Sequence, residues 1–337
     1  MKIWQISSFG IDHLELRDVP ESKPGAGQVL IRVHAVSLNY RDLLTVKGQY
    51  NPRMRLPAIP CSDGAGEIVE TGQGVSRFRA GDRVAGIFMQ NWLDGRLTPE
   101  RSRGALGGDI DGTLAEYVLL DEDGVVAIPG SLSYLEAATL PCAGVTAWNA
   151  LVHAARVKAG DVAVIQGTGG VSIFALQFAK VHGAKVLGTS SSDEKLARAQ
   201  ALGLDAGVNY RQTPDWSAWV LDQTEKLGAD MVIEVGGAGT LNQSIKAVRM
   251  GGVVAQIGVL SQTEEPLRIA PILHKQVQIK GIYVGSRAHF EEMNQAIGAN
   301  SLHPVVDKVF AFDQAPAALR AMEGGSHFGK IVIQVVS

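Results

Sequence analysis

Between about residues 131 and 288 the chain alternates short β-branched runs with helix-forming stretches. In order these include "VAVIQG", "SIFALQFAKVHG", "KVLGTS", "DEKLARAQALG", "AGVNY", "WVLDQTEKLG", "MVIEVGG", "LNQSIKAVRM", "VVAQIGV" and "VQIKGIYVG". The strand-type runs are mostly apolar and are bounded by glycine or another turn residue. Such strands are buried on both faces, and helices between them make them run parallel. The pattern predicts an α/β fold built on a doubly wound parallel sheet.

The first strand, turn and helix of that sheet read "AVIQGTGGVSIFALQFAKVHG". The turn holds Gly167, Gly169 and Gly170, then Val171 and Ser172. In a G-x-G-x-x-G turn the first glycine makes the bend and the second lets the backbone approach a pyrophosphate. The third only eases helix–sheet packing. Gly167 and Gly169 fill the first two places, and Ser172 is small enough for the third. The helix that follows offers N–H groups and a positive dipole end to a diphosphate. A glycine turn alone is a weak signal. This one sits inside a βαβ unit, so a dinucleotide site is expected, against the alternative of a structural tight turn.

The next strand ends in Thr189, Ser190, Ser191 and Ser192. A carboxylate at that place would grip both ribose hydroxyls of NAD. Here Ser190 occupies it. Ser190 and Ser191 can donate to phosphate oxygens, and Lys195 adds charge one helical turn on. Tyr210 closes the third strand and can flank an adenine, with Arg211 beside it. Asp193 and Glu194 lie past the acid position and suit a helix's first turn. NADP(H) is therefore expected over NAD(H). The bland reading is a polar loop with a solvated lysine.

Residues 1–130 look different. "QVLIRVHAVSL" (28–38), "GEIVETG" (66–72), "DRVAGIF" (82–88) and "LAEYVLL" (114–120) are separated by Pro, Gly and Asp turns, which predicts a mostly antiparallel β domain. Residues 88–112 are polar, lack a period and read as a long surface loop. The tail, 289–337, carries helix "HFEEMNQAIG", strand "KVFAF", helix "APAALRAMEG" and strand "KIVIQVV", and is expected to return to the first domain. The expected divisions are thus 1–130, 131–288 and 289–337.

Several function classes are disfavoured. Charged residues are 19% of 337, the net charge is −3, and no basic stripe suggests nucleic acid. No run of 18 apolar residues suggests a membrane span, and "MKIWQISSFG" has no apolar signal core. A cytoplasmic protein is expected. Cys61 and Cys142 form no CxxC, so neither a disulfide framework nor a four-cysteine zinc site is expected. Small buried residues is their ordinary role. The eight histidines are scattered, with no HxxH.

Segments along nearly the whole chain resemble one family. They are "SDGAGEIVETG" (62–72), "GDRVAG" (81–86), "PCAGVTAW" (141–148), "GTGGV" (167–171), "QALGLDA" (200–206), "EVGG" (234–237), "GGVVAQIGV" (251–259) and "HFGKIVI" (327–333). In this order they are similar to the medium-chain dehydrogenase/reductases, the alcohol dehydrogenase and quinone oxidoreductase superfamily. The resemblance implies a GroES-like catalytic domain over 1–130 and a Rossmann domain over 131–288. The family's zinc enzymes need three protein ligands, and the matching places hold Asn39, Ser62-Asp63 and Cys142. One ligand cannot hold the metal. The four-cysteine structural lobe is replaced by 88–112. The resemblance therefore points to the zinc-free branch, with no metal. It also implies Thr146 near the nicotinamide ribose, Gly258 and Val284 against the carboxamide through their backbones, and Lys330 on the pyrophosphate. The edge strand near 277–283 implies a homodimer paired across a two-fold axis.

Hydride delivery to a simple carbonyl concentrates charge on oxygen, which some acid or donor must meet. A quinone or an α,β-unsaturated carbonyl spreads that charge, so hydrogen-bond donors suffice. Tyr50 is the candidate general acid, because some enoyl reductases carry a tyrosine at the matching place. Asn39 is the candidate amide donor, and Arg41 a fixed cation. Their ordinary roles would be a surface aromatic, a cap, and a partner for Asp42 or Asp63. The resulting expectation is a zinc-independent NAD(P)H-dependent reductase of quinones or α,β-unsaturated carbonyls, its partner a small-molecule substrate. The alternatives are an alcohol dehydrogenase and a non-catalytic NADPH-binding protein.

Overall fold

A computed structural model describes residues 1–260 and 265–336. Two compact units result: residues 1–145 together with 285–337, and residues 146–284. Residues 131–145 and 285–288, grouped by sequence with the second unit, lie in the first.

In chain order, β1 Lys2–Ile6 and β2 Leu14–Asp18 form an antiparallel pair. Strand β3 Gln28–Ser37 leads into a short helix, α1 Tyr40–Val46. Strands β4 Asp63–Thr71, β5 Arg83–Gly86, β6 Tyr117–Asp121 and β7 Val125–Ala127 follow. Helix α2 Tyr134–Ala137 widens into a π turn at Leu140–Gly144 and continues as α3 Val145–Trp148. A second π turn spans Asn149–Ala154. Next come β8 Val162–Gln166, α4 Gly170–Val181, β9 Lys185–Ser190, α5 Asp193–Ala201, β10 Ala206–Asn209 and α6 Trp216–Gln223. They continue with β11 Ala229–Glu234, α7 Ala238–Ala247, β12 Val248–Gln256, α8 Ile269–Lys275 and β13 Gln278–Gly281. The chain closes with α9 Arg287–Ala299, β14 Val306–Ala311, α10 Ala315–Glu323 and β15 Lys330–Gln334.

The first unit's main sheet runs β14-β15-β3-β4-β5-β7, with β6 on the other half of β3. All pairs are antiparallel except β14 with β15. Two registers matter for function. Val332 on β15 lies opposite Ser37 on β3, and Ser37 lies opposite Asp63 on β4. Counting outward, Lys330 comes level with Asn39, and both stand beside Ser62 and Asp63. Ile31, Val33, Ile68, Leu114, Ile331 and Ile333 are among the residues of the core on which this sheet rests.

The second unit is a fully parallel sheet of order β10-β9-β8-β11-β12-β13. The direction of strand addition reverses between β8 and β11. In such sheets ligands bind beyond the carboxyl ends of the strands at that switch point. Val164, Leu187, Val232 and Val254, from four adjacent strands, are completely buried, as their apolar runs required.

Three local expectations change. The helix read over "LNQSIKAVRM" stops at Ala247, because Val248 pairs with Ala229 and begins β12. Helices α1 and α8 were absent from the sequence reading; seven residues each give too short a period to see. The segment 88–112 is not merely a surface loop. Phe88, Met89, Trp92, Ala105 and Leu106 are buried, and the carbonyls of Trp92 and Leu93 accept the N–H groups of Arg287 and Ala288 at the start of α9. Among the described residues no helix is long and apolar enough to cross a membrane.

Gly66 on β4 tests this packing. A Cβ there would lie 2.1 Å from the Arg32 carbonyl oxygen on β3, and that backbone cannot yield. Gly66→Ala is expected to cost on the order of 2–4 kcal/mol in urea unfolding monitored by tryptophan fluorescence.

Candidate active site

The dinucleotide turn follows directly from the end of β8. Gly167 adopts φ 65°, in the left-handed region, and its N–H donates to Thr189 O at 2.7 Å. Gly169 caps α4 without any side chain. A Cβ at Gly167 or Gly169 would meet nothing within 4 Å, so the space above the turn is open. Gly170 and Val171 form the first turn of α4. Ser172 is buried, and its hydroxyl donates to Gln166 O at 2.6 Å, tying helix to strand at the third glycine's place. The residues fit a dinucleotide diphosphate.

At the end of β9, Ser190 is buried and its Oγ accepts the Ser192 N–H at 3.2 Å. Ser191 and Lys195 are half-buried, and Ser192 caps α5 by accepting the Lys195 N–H. Asp193 opens α5 and holds the Asn209 and Gln212 amides at 2.9 and 3.1 Å. It is thus engaged away from the strand end. Tyr210 is exposed, and its N–H pairs with Ser190 O.

Sequence reasoning missed Gln166 and Glu234, at the ends of the two strands flanking the switch point. Glu234 is fully buried yet accepts from Gln166 Nε2 at 2.7 Å, Thr240 Oγ1 at 2.6 Å, and the N–H groups of Gly236 and Gly237. Ser244 Oγ also donates to it. This shell sets the turn after β11. Gly258 follows β12, where a Cβ would lie 1.9 Å from Val235 O. Thr146 is buried, and Val284 is buried at φ 55°.

In the first unit, strand register assembles a second polar cluster. Lys330 is 4% exposed, and its ammonium donates to Leu38 O at 2.7 Å and Asn39 Oδ1 at 2.6 Å. These partners differ from the pyrophosphate role that resemblance implied for it. Asp63 Oδ2 lies 4.0 Å from the same nitrogen and accepts the Cys142 N–H at 3.2 Å. Ser62 Oγ donates to Asp63 Oδ1 at 2.7 Å, while Asn39 Nδ2 reaches Ser62 Oγ at 3.4 Å. Asn39 also precedes α1, where Asp42 accepts its N–H at 2.8 Å. Two residues predicted for separate tasks, Asn39 and Lys330, therefore touch.

Arg41 and Tyr50 are also brought together. The Arg41 guanidinium lies 5.3 Å from the Tyr50 ring centre and 4.7 Å from that of Phe88. It donates to Leu106 O at 2.7 Å and stands 3.9 Å from Asp42. The Tyr50 side chain is 43% exposed.

Burial sets the protonation pattern. Asp42 is pushed up to about 6 by desolvation, with nearby Arg41 opposing the shift. Asp63 is raised by desolvation and pulled back chiefly by Lys330. The thiols of Cys61 and Cys142 are held well above their ordinary range by burial, so both are neutral.

This donor set does not fit zinc. The three places that would supply ligands hold an amide oxygen bonded to an ammonium, a hydroxyl bonded to a carboxylate, and a protonated thiol. A resident ammonium also opposes a dication. Among the described residues, no group of three or more His, Cys, Asp or Glu is arranged to hold a metal.

Residues 25–130 match the family model for the alcohol dehydrogenase GroES-like domain, and 170–299 that for zinc-binding dehydrogenase. A zinc-type alcohol dehydrogenase-like protein of Schizosaccharomyces pombe is 44% identical over 98% of this chain and 97% of its own. The chain belongs to the medium-chain dehydrogenase/reductase superfamily. A solved structure from Sinorhizobium meliloti that bears the name alcohol dehydrogenase superposes with TM-score 0.93 at 43% identity, over 99% of this chain and 98% of that one. A quinone oxidoreductase from Coxiella burnetii gives TM-score 0.81 at 29% identity, over 100% and 99%. Medium-chain dehydrogenase/reductases are NAD(P)-dependent oxidoreductases, and this chain is such an enzyme.

Two outcomes are expected. Gly169→Ala should leave stability within about 0.5 kcal/mol, since its methyl meets no protein atom, yet weaken dinucleotide binding at least about tenfold in calorimetric titration. Because the folded-state pKa of Asp42 is raised above its unfolded value, its burial costs nothing below about pH 4. The cost grows as pH rises toward 6 and is then constant. Asp42→Asn should therefore gain on the order of 2–3 kcal/mol over the parent at pH 8, an advantage that shrinks below pH 5 in urea melts.

Proposed function

We propose that this enzyme reduces quinones or α,β-unsaturated carbonyl compounds with NADPH and needs no zinc. The observation that carries the reading is the buried Lys330–Asn39–Ser62–Asp63 chain at the place where family members with zinc hold their metal. A bound nicotinamide supplies a hydride from its C4. The chain supplies everything that meets the resulting charge. Lys330 fixes the oxygen of the Asn39 amide, so its N–H₂ is the end left to donate. An enolate or phenolate spreads its charge, and one oriented amide with a buried cation behind it is suited to that load. Arg41, packed on the Tyr50 ring, holds the phenol, which delivers the proton to the carbon of an enolate or the oxygen of the hydroquinone anion that hydride transfer leaves.

The NADPH preference rests on the end of β9. Ser190 and Ser191 stand where a carboxylate would repel a 2′-phosphate, Asp193 is tied to Asn209 and Gln212, and Lys195 lies one turn along. For a homodimer, the support is that β13 is the edge of its sheet, with Ile279 on it and Tyr283 two residues past it both exposed. Reduction of simple aldehydes is the second reading, favoured by the alcohol dehydrogenase names of the relatives in Schizosaccharomyces pombe and Sinorhizobium meliloti.

The test is cofactor oxidation by chelator-treated protein over quinones, enones, enoyl thioesters and aldehydes, with NADPH and NADH in parallel. Turnover of a conjugated acceptor with NADPH is expected. Turnover confined to aldehydes, and only after zinc is added back, would overturn the proposal. Ser190→Asp is expected to shift the NADPH-to-NADH ratio of kcat/KM toward NADH by about tenfold or more.

A further inference from the structure

Val284 is a β-branched residue held at φ 55°, a conformation that L side chains other than Asn, Asp and His seldom adopt. It is buried, three residues past the end of β13. Something must hold it there. The Asn149 side chain does, donating from Nδ2 to Val284 O at 2.7 Å. Asn149 itself opens a π turn, a geometry that costs helix regularity and recurs at functional sites. One turn earlier on the same helix face stands Thr146. Thr146 is 3% exposed, and neither its hydroxyl nor the Val284 N–H makes a hydrogen bond among the described residues.

The strand order says what these idle groups face. A dinucleotide lies across the switch point with one half on each side. The end of β9, with Ser190 and Ser191, takes the adenosine half. The nicotinamide half then falls over the ends of β11, β12 and β13, where Val284 stands. We infer that Asn149 is a positioning residue for the nicotinamide: by fixing the Val284 carbonyl it locks a strained turn whose N–H is displayed to the carboxamide. The inference uses the dinucleotide site of the enzyme and is independent of its acceptor or of zinc.

The experiment compares two ligands that differ only in the nicotinamide. Dissociation constants are measured by calorimetry for NADPH against 2′-phospho-ADP-ribose, and for NADH against ADP-ribose, so that either cofactor preference yields a result. In Asn149→Leu the intact cofactors should bind about tenfold more weakly, the worth of one net hydrogen bond, with the ribose analogues within twofold of the parent. Analogue binding doubles as the proof of folding. Should Asn149→Leu not fold, Asn149→Asp keeps the volume, sets an oxygen against the Val284 carbonyl, and is expected to show the same selective loss. Equal losses for cofactor and analogue, or no loss for either, would overturn the inference. Failure on conjugated acceptors, with this selectivity intact, would instead count against the proposed reaction alone.

Discussion

The first unit is organised around one buried cation. The Lys330 ammonium sits between the Leu38 carbonyl and the Asn39 amide oxygen, with the Asp63 carboxylate at 4.0 Å. An isolated ammonium would not be stable in such a place, and neither would Asp63. Together they are tolerable because each remaining polar atom finds a partner: Ser62 for one Asp63 oxygen, the Cys142 N–H for the other. Removing any member leaves a buried charge or donor without its complement. The three strands that carry these residues are therefore held in register by electrostatics as well as by the sheet's own ladder.

The proposed reaction would carry the family's chemistry differently. A metal meets developing charge by direct coordination. In the proposed reaction the positive charge stands one hydrogen bond removed, behind the Asn39 amide, and its effect on a substrate oxygen would be softened and directional. On the proposed reading such a site would discriminate by demand: acceptors that localise charge would gain too little, and those that delocalise it enough. The neutral thiol of Cys142, raised by burial, adds bulk to the site and little charge.

Much of the second unit was legible because its signals are local. A buried parallel strand is a run of a few apolar residues, and the glycine turn is contiguous from Gly167 to Ser172. The serines at 190–192 were readable for the same reason. What escaped depends on pairing across distance. Lys330 and Asn39 are 291 residues apart, and only the β15–β3 register makes them neighbours. Resemblance gave Lys330 a cofactor role, and linear matching carries no register that would have shown Asn39 beside it. Asn149 looked like one more residue of a helix, since a π turn leaves no mark on an apolar period. Arg41 and Tyr50 were named separately, but the guanidinium lies against both the Tyr50 ring and Phe88, at the start of a segment read as a loop.

The second unit is an insertion of roughly 140 residues within the first. Its two ends, near Thr146 and Val284, are joined through Asn149 by a single hydrogen bond of 2.7 Å. On the first unit's side, Gly285 runs so close to Val145 that a Cβ would lie 2.6 Å from it. Closing a flexible loop of that length would cost the first unit about 4 kcal/mol in chain entropy. A folded insertion with touching ends removes nearly all of that cost. The last strand, with its lysine, thus reaches its place as though the chain had never left.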